Sequence, residues 1–128
     1  MTRRLATVSL LVREYDEAIA WFTQKLGFRL LHDTPVGPGK RWVVVGPEQG
    51  AALLLARAEG SDQTFAVGRQ AGGRVLMFLE TDDFHRDHER MTANGVQFRE
   101  APRVEPYGTV AVFLDLCGNP WDLIEPRR

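Results

Sequence analysis

The chain has 128 residues, with 16 basic and 17 acidic side chains and a formal net charge of −1. That length predicts one domain, and the balanced charge excludes a nucleic-acid binder built on a large basic surface. One cysteine excludes an internal disulfide and any multi-cysteine zinc site, and no apolar run approaches the ~18 residues of a membrane span. The start, Met1-Thr2-Arg3-Arg4, leads into a short apolar run that soon meets Arg13 and Glu14. That is a poor signal peptide, so the expected location is the cytoplasm.

Residues 5–12 are apolar and β-prone and predict a buried strand. A helix follows, with Asp16 as the expected N-cap and Glu17 at the positive end of the dipole. Tyr15, Ala18, Ile19, Phe22 and Leu26 form one apolar stripe, and Gly27 is placed to stop the helix. Strands are expected over 28–32, 41–45 and 51–56, separated by a loop at 35–39 and a turn at 46–50. Residues 57–73 are polar and contain glycines, which predicts a linker with a short helix over 64–69. The order then recurs: a strand over 74–81, a helix capped by Asp82 or Asp83 and ended by Gly95, and a strand over 96–99. A loop over 101–107, a strand over 108–114, a Gly118-Asn119-Pro120 turn and a strand over 121–125 complete it.

Both halves read strand–helix–strand–strand–strand. Gly27 and Gly95 are 68 residues apart, as are Gly50 and Gly118, and Leu53 and Leu55 match Trp121 and Leu123 at the same offset. Glycines and strand residues at one fixed offset point to an internal duplication; two unrelated strand–helix units are the alternative. The expected organisation is a single domain of two repeats, 1–56 and 74–128, joined by the linker 57–73. A four-stranded sheet with one helix on its convex face leaves its concave face uncovered. Two such modules, from one chain or two, can curve into a cleft, the usual place for a small ligand.

These residues carry a resemblance. The stretch from Val12 through Asp16-Glu17-Ala18-Ile19-Ala20-Trp21-Phe22 to Leu26-Gly27-Phe28 resembles the opening helix of the vicinal oxygen chelate superfamily. That group includes glyoxalase I, bleomycin-resistance proteins, fosfomycin-resistance enzymes and extradiol dioxygenases. The stretch from Val112 to Glu125, with Asp115-Leu116-Cys117-Gly118-Asn119, resembles its closing hairpin. The resemblance implies an α+β fold of two tandem βαβββ modules whose curved mixed sheets form a cleft, and usually a homodimer. It does not by itself imply an activity, because one fold hosts many functions.

The catalytic members hold a divalent metal on the first and last strands of each module. The resemblance puts those positions at Thr7, near Leu54, near Leu76 and at Asp122. Only Asp122 is an ordinary ligand, and a catalytic site typically needs about three. No metal or other cofactor is therefore expected. His85 and His88, three apart on the second helix, could share a metal. Stripe counting instead sets His88 beside Phe84 and Met91 against the sheet, with His85 toward solvent. His32 has no spaced partner, and Cys117 has no neighbouring histidine.

Strand alternation predicts the cleft lining. Thr7, Ser9 and Leu11 share a face, as do Leu76, Phe78 and Glu80. Leu54, Asp122 and Ile124 join them from the last strands. Trp42 and Val44, and Thr109, Ala111 and Phe113, are expected from the middle strands, with Tyr107 at a loop mouth. This is an apolar, aromatic wall with Thr7, Ser9, Glu80 and Asp122 as its polar groups. Glu80 and Asp122 could share a proton, pair with an arginine such as Arg41 or Arg103, or face water. Either one with a raised pKa is a candidate general acid or base. The expected function is metal-free binding of a small hydrophobic or aromatic molecule, for sequestration or resistance, by a homodimer with no nucleic-acid or membrane partner. The alternatives are a metal-dependent lyase, isomerase or dioxygenase of the same superfamily, and a non-catalytic interaction module.

Overall fold

A computed structural model describes all 128 residues as two compact units, Met1–Gly68 and Arg69–Arg128. The first contains β1 (Thr7–Val12), α1 (Tyr15–Lys25), β2 (Arg29–Gly37), β3 (Lys40–Gly46), β4 (Ala52–Arg57) and the short α2 (Gly60–Ala66). The second contains β5 (Met77–Glu80), α3 (Phe84–Ala93), β6 (Arg103–Glu105), β7 (Gly108–Leu114) and β8 (Pro120–Pro126). The strand orders are β1-β4-β3-β2 and β5-β8-β7-β6. In each unit the first strand lies parallel to the last, and the remaining pairs are antiparallel. The architecture is α+β, two tandem βαβββ modules.

In the first unit, Tyr15, Ala18 and Phe22 of α1 are buried, as are Leu10, Val12, Val43, Val45, Leu53 and Leu55 of the sheet. Alternation puts these strand residues on one face, and the helix stripe fills it. Phe22 stacks on Phe28 at 5.8 Å. In the second unit an aromatic chain does the same work. His88 lies 5.5 Å from Phe84 and 4.2 Å from Phe98, and Phe98, Phe113 and Trp121 follow in contact.

The duplication survives in the backbone. Gly27 and Gly95 both follow a helix with positive φ, +73° and +90°, a conformation that ends helices and favours glycine. The pair Val45–Leu53 of β3–β4 recurs, 68 residues on, as Phe113–Trp121 of β7–β8. Val44–Leu54 recurs as Val112–Asp122.

Several local expectations are corrected. The residue preceding α1 is Glu14, not Asp16, and it makes no side-chain cap. Asp16 is instead paired to Arg41 at 2.9 Å. Strand β2 continues to Gly37, through the expected loop, because the hairpin to β3 closes only at Pro38-Gly39. The short helix spans Gly60–Ala66 rather than 64–69. Residues 96–99 form no named strand, only an isolated bridge from Phe98 to Phe113, and the short β6 lies in the expected loop. Pro102 and Pro106 flank β6, and proline lacks the N–H that would extend its ladder. Asp83 does cap α3, accepting from the Arg86 N–H at 3.1 Å.

Candidate functional site

The helix covers one face of each sheet; the residues between the buried ones point to the other face. In the first unit this open face carries Thr7, Ser9 and Leu11, then Leu54, then Trp42 and Val44. Register sets Ser9 beside Leu54, and Val44 across from it. Thr7 and Ser9 are exposed and Leu54 is half-buried. Trp42 is 45% exposed, a large apolar surface left open to solvent.

In the second unit the open face carries Leu76, Phe78 and Glu80 beside Asp122 and Ile124. Phe78 is the register partner of Asp122 and is 68% exposed. On the other side Asp122 faces Val112. Glu80 is exposed, and Tyr107 sits exposed in the turn between β6 and β7. Phe113 is not on this face: it is fully buried, packed against Phe98 and Trp121 toward α3. Thr109 and Ala111 share its parity, so Val110, Val112 and Leu114 lie on the opposite side of β7, where Val110 is fully buried and the other two are half-buried. Helix packing demands the large ring on its own side, and a one-residue change of phase exchanges every side chain of a strand between faces.

Asp122 is the unusual group. Its Oδ1 is buried with no hydrogen-bond partner. Burial pushes its carboxyl up from the usual range, against the pull of the Arg103 charge, and Glu100 adds to the rise. Arg103 is therefore the arginine whose field reaches Asp122. Arg41 belongs to the first unit, where it grips Asp33 through Nε and a terminal nitrogen, at 3.1 and 2.7 Å. Arg103 shares the open face through its register partner Val110. Its Nε binds Glu100 at 3.0 Å, and another nitrogen lies 3.7 Å from Glu105. The bond to Glu100 and one to Tyr107 hold its guanidinium firmly charged. Arg103 and Glu105 fall within the loop expected over 101–107, and Glu100 falls between that loop and the strand expected over 96–99. Their alternating charges across a two-residue spacing, from Arg103 to Glu105, were the available signal of a strand.

The positions that the resemblance assigns to a metal do not fit one. They are a threonine, two leucines and one carboxylate, and no three His, Cys, Asp or Glu side chains converge in either unit. His88 is sandwiched between Phe84 and Phe98, and His85 is exposed. Cys117 donates its backbone N–H to Asp115 at 2.9 Å within the closing turn. A separate cavity of about 380 Å³ opens in the first unit between the start of α1 and the β2–β3 hairpin. Tyr15, Arg41 and Arg57 line it, with both guanidinium groups within 5.5 Å of the Tyr15 ring. Arg41 is paired with Asp16 and Asp33, and Arg57 approaches Glu14, contacts that clip the hairpin to the helix.

Residues 4–123 match the family model of the Glyoxalase/Bleomycin resistance protein/Dioxygenase superfamily. The chain belongs to that superfamily. Within it, an uncharacterised protein of Shewanella frigidimarina is 49% identical, over 98% of this chain and 95% of its own. Among solved structures, UcmS2 is 31% identical with a TM-score of 0.84, covering 97% of this chain and 98% of that one. TnmS3, an antibiotic binding protein from Streptomyces sp. CB03234, is 27% identical with a TM-score of 0.78, covering 99% and 98%. No helix of this superfamily member is long and apolar enough to cross a membrane.

Proposed function

We propose that this protein binds and sequesters a small hydrophobic or aromatic molecule on the open faces of its sheets, without a metal and without chemical conversion. The observation that carries the reading is the presence of exposed aromatics, Trp42 and Phe78, beside strand positions that offer one ordinary metal ligand, Asp122, rather than three. Aromatic surface supplies most of the binding energy for a flat ligand, and a few polar groups orient it. The antibiotic-binding neighbour supports the same reading. The proposed form is a cytoplasmic homodimer with no nucleic-acid or membrane partner.

Trp42 is the built-in reporter. Its fluorescence should quench on binding, while the buried Trp121 and the half-buried Trp21 of α1 should not respond, so Trp42→Phe should abolish the quench. The test is native mass spectrometry and tryptophan titration of the purified protein with and without a chelator. Ligand binding that survives chelation, with no stoichiometric metal, is the expected result. A bound divalent ion at one per chain, lost together with ligand binding on chelation, would support the lyase, isomerase or dioxygenase reading instead. Sedimentation as a monomer at micromolar concentration would remove the dimer.

A further inference from the structure

We propose that the cavity at the start of α1 is an anion site, distinct from the open sheet faces, that takes the carboxylate or phosphate group of a small molecule. The internal repeat carries the argument. Tyr15 and Phe84 each begin a helix as buried aromatic residues. The register pair Leu10–Leu55 of β1–β4 recurs as Leu79–Leu123 of β5–β8. Arg57, two residues after Leu55, therefore stands where Glu125 stands in the second unit. There the Phe84 N–H donates to Glu125 Oε1 at 2.8 Å, and Asp83 caps the same helix start by accepting from the Arg86 N–H at 3.1 Å. A carboxylate oxygen suits that place because the first N–H groups of a helix lack intrahelical partners and the dipole favours negative charge. In the first unit the position carries a cation, the residue before α1 makes no side-chain cap, and a cavity of about 380 Å³ opens there.

The cations around the cavity differ in how firmly they are held. Arg41 is bound by Asp16 and Asp33 at 2.9 and 2.7 Å. Arg57 is held by the face of the Tyr15 ring, 5.5 Å from its centroid, and by Glu14 at 4.0 Å, beyond hydrogen-bond reach. Its fork of N–H donors matches the edge of a carboxylate or phosphate. An added Cβ at Gly39 would lie 3.3 Å from Arg57 Nη2, so the bare turn leaves room for the guanidinium. Lys40, exposed in the same hairpin, lines the cavity as a second cation. The Glu14 side chain is 67% exposed, so an incoming oxyanion displaces it into water at little cost. The occupant then pairs with Arg57 and Lys40 and meets the N–H groups at the start of α1, as Glu125 does for α3. Arg41 and Arg57 share the helix-side parity of Val43 and Leu55, which makes the site independent of the sequestration reading.

The test follows backbone amides by NMR while the full chain is titrated with inorganic phosphate, with acetate, and with chloride at matched ionic strength. Phosphate or acetate should shift the amides of Tyr15, Asp16 and Lys40 saturably, with a millimolar or lower Kd, and chloride should not. The tighter binder of the two tells a phosphate source from a carboxylate source. Arg57→Gln should weaken binding at least about tenfold and Lys40→Gln about threefold, since each removes charged donors. Glu14→Gln should tighten binding about twofold, because it removes the competing carboxylate. A guanidinium that only clips the hairpin gives no saturable shift and no gain in Glu14→Gln. Absence of a saturable shift with either oxyanion, an equal response to chloride, or unchanged affinity in Arg57→Gln would overturn the proposal. Shifts confined to other basic residues, such as Arg3 and Arg127, would overturn it as well. If Arg57→Gln fails to fold, Lys40→Gln and Glu14→Gln decide the matter by their opposite changes in affinity. Quenching of Trp42 by aromatic probes is a separate measurement, so either reading can fail without the other.

Discussion

On the helix side, Leu53 and Leu55 of the first unit correspond to Trp121 and Leu123 of the second, and all four are buried. On the open side the same 68-residue offset carries Leu54 to Asp122 and Trp42 to Val110. The helix-facing positions must fill a closed volume, so they change only between apolar types. The open positions lie outside that closed volume, so polar and charged side chains are tolerated among them. There the first unit presents an exposed tryptophan among Thr7 and Ser9, and the second an exposed phenylalanine among carboxylates and one arginine. The duplicated framework keeps its core and diverges on the face it leaves uncovered.

The largest test of that contrast sets Phe113→Ala against Trp42→Ala. The first empties a buried ring site and should cost about 3–5 kcal/mol by denaturant unfolding. The second should cost less than about 1 kcal/mol while weakening binding of aromatic probes. A near-neutral Phe113→Ala would place that ring back on the open face and break the comparison.

The two closing turns differ next. Asp115 is buried and accepts from the N–H groups of Cys117 and Asn119, the Asn119 amide and the Trp121 indole. The same position of the first unit is Pro47. Asp115→Ala should cost about 2–3 kcal/mol, since it orphans several buried donors at once, whereas Pro47→Ala should stay below about 1 kcal/mol. Equal costs would mean that the second turn does not depend on its carboxylate.

The smallest effects concern pH, and the two units should show opposite signs. In the first unit the hydrogen bonds from Arg41 hold the Asp33 carboxyl below the usual range. Its contribution is present above the unfolded value near 4 and is lost as pH falls through the lower folded value. Asp33→Asn should therefore lower stability at pH 7 by about 0.5 kcal/mol, and the loss should fade in acid. In the second unit burial raises Asp122. Its folded form is favoured below the unfolded value near 4, and that advantage is lost as pH rises through the folded value. Asp122→Asn should raise stability at pH 7 and change nothing in acid. Urea midpoints of both variants at pH 3 and pH 7 read the two signs; matching signs would sink the contrast.

Much of this was legible in the chain itself. The glycines at offset 68, the apolar stripe of α1 and the Asp-x-x-Gly-Asn turn carry local signals strong enough to give the strand–helix order and the duplication. The open-face positions Thr7, Ser9, Leu54, Phe78, Glu80 and Asp122 follow from alternation along strands whose phase is marked by buried leucines. The phase of β7 was legible too, but only through the duplication: Val44 maps to Val112, which puts Phe113 with Val45. Alternation counted along β7 alone has no anchor, because nearly every residue from Thr109 to Leu114 is apolar.

The sequence by itself determined the module and its repeat, because these rest on residue types and spacings. Only the tertiary structure decided which side Phe113 takes, that Asp16 pairs with Arg41 rather than capping α1, and that Arg103 is held by two glutamates. It also decided that Asp122 keeps a buried oxygen with no partner. Each of these depends on groups distant in the chain competing for the same space or the same hydrogen bond, and no local pattern records the winner.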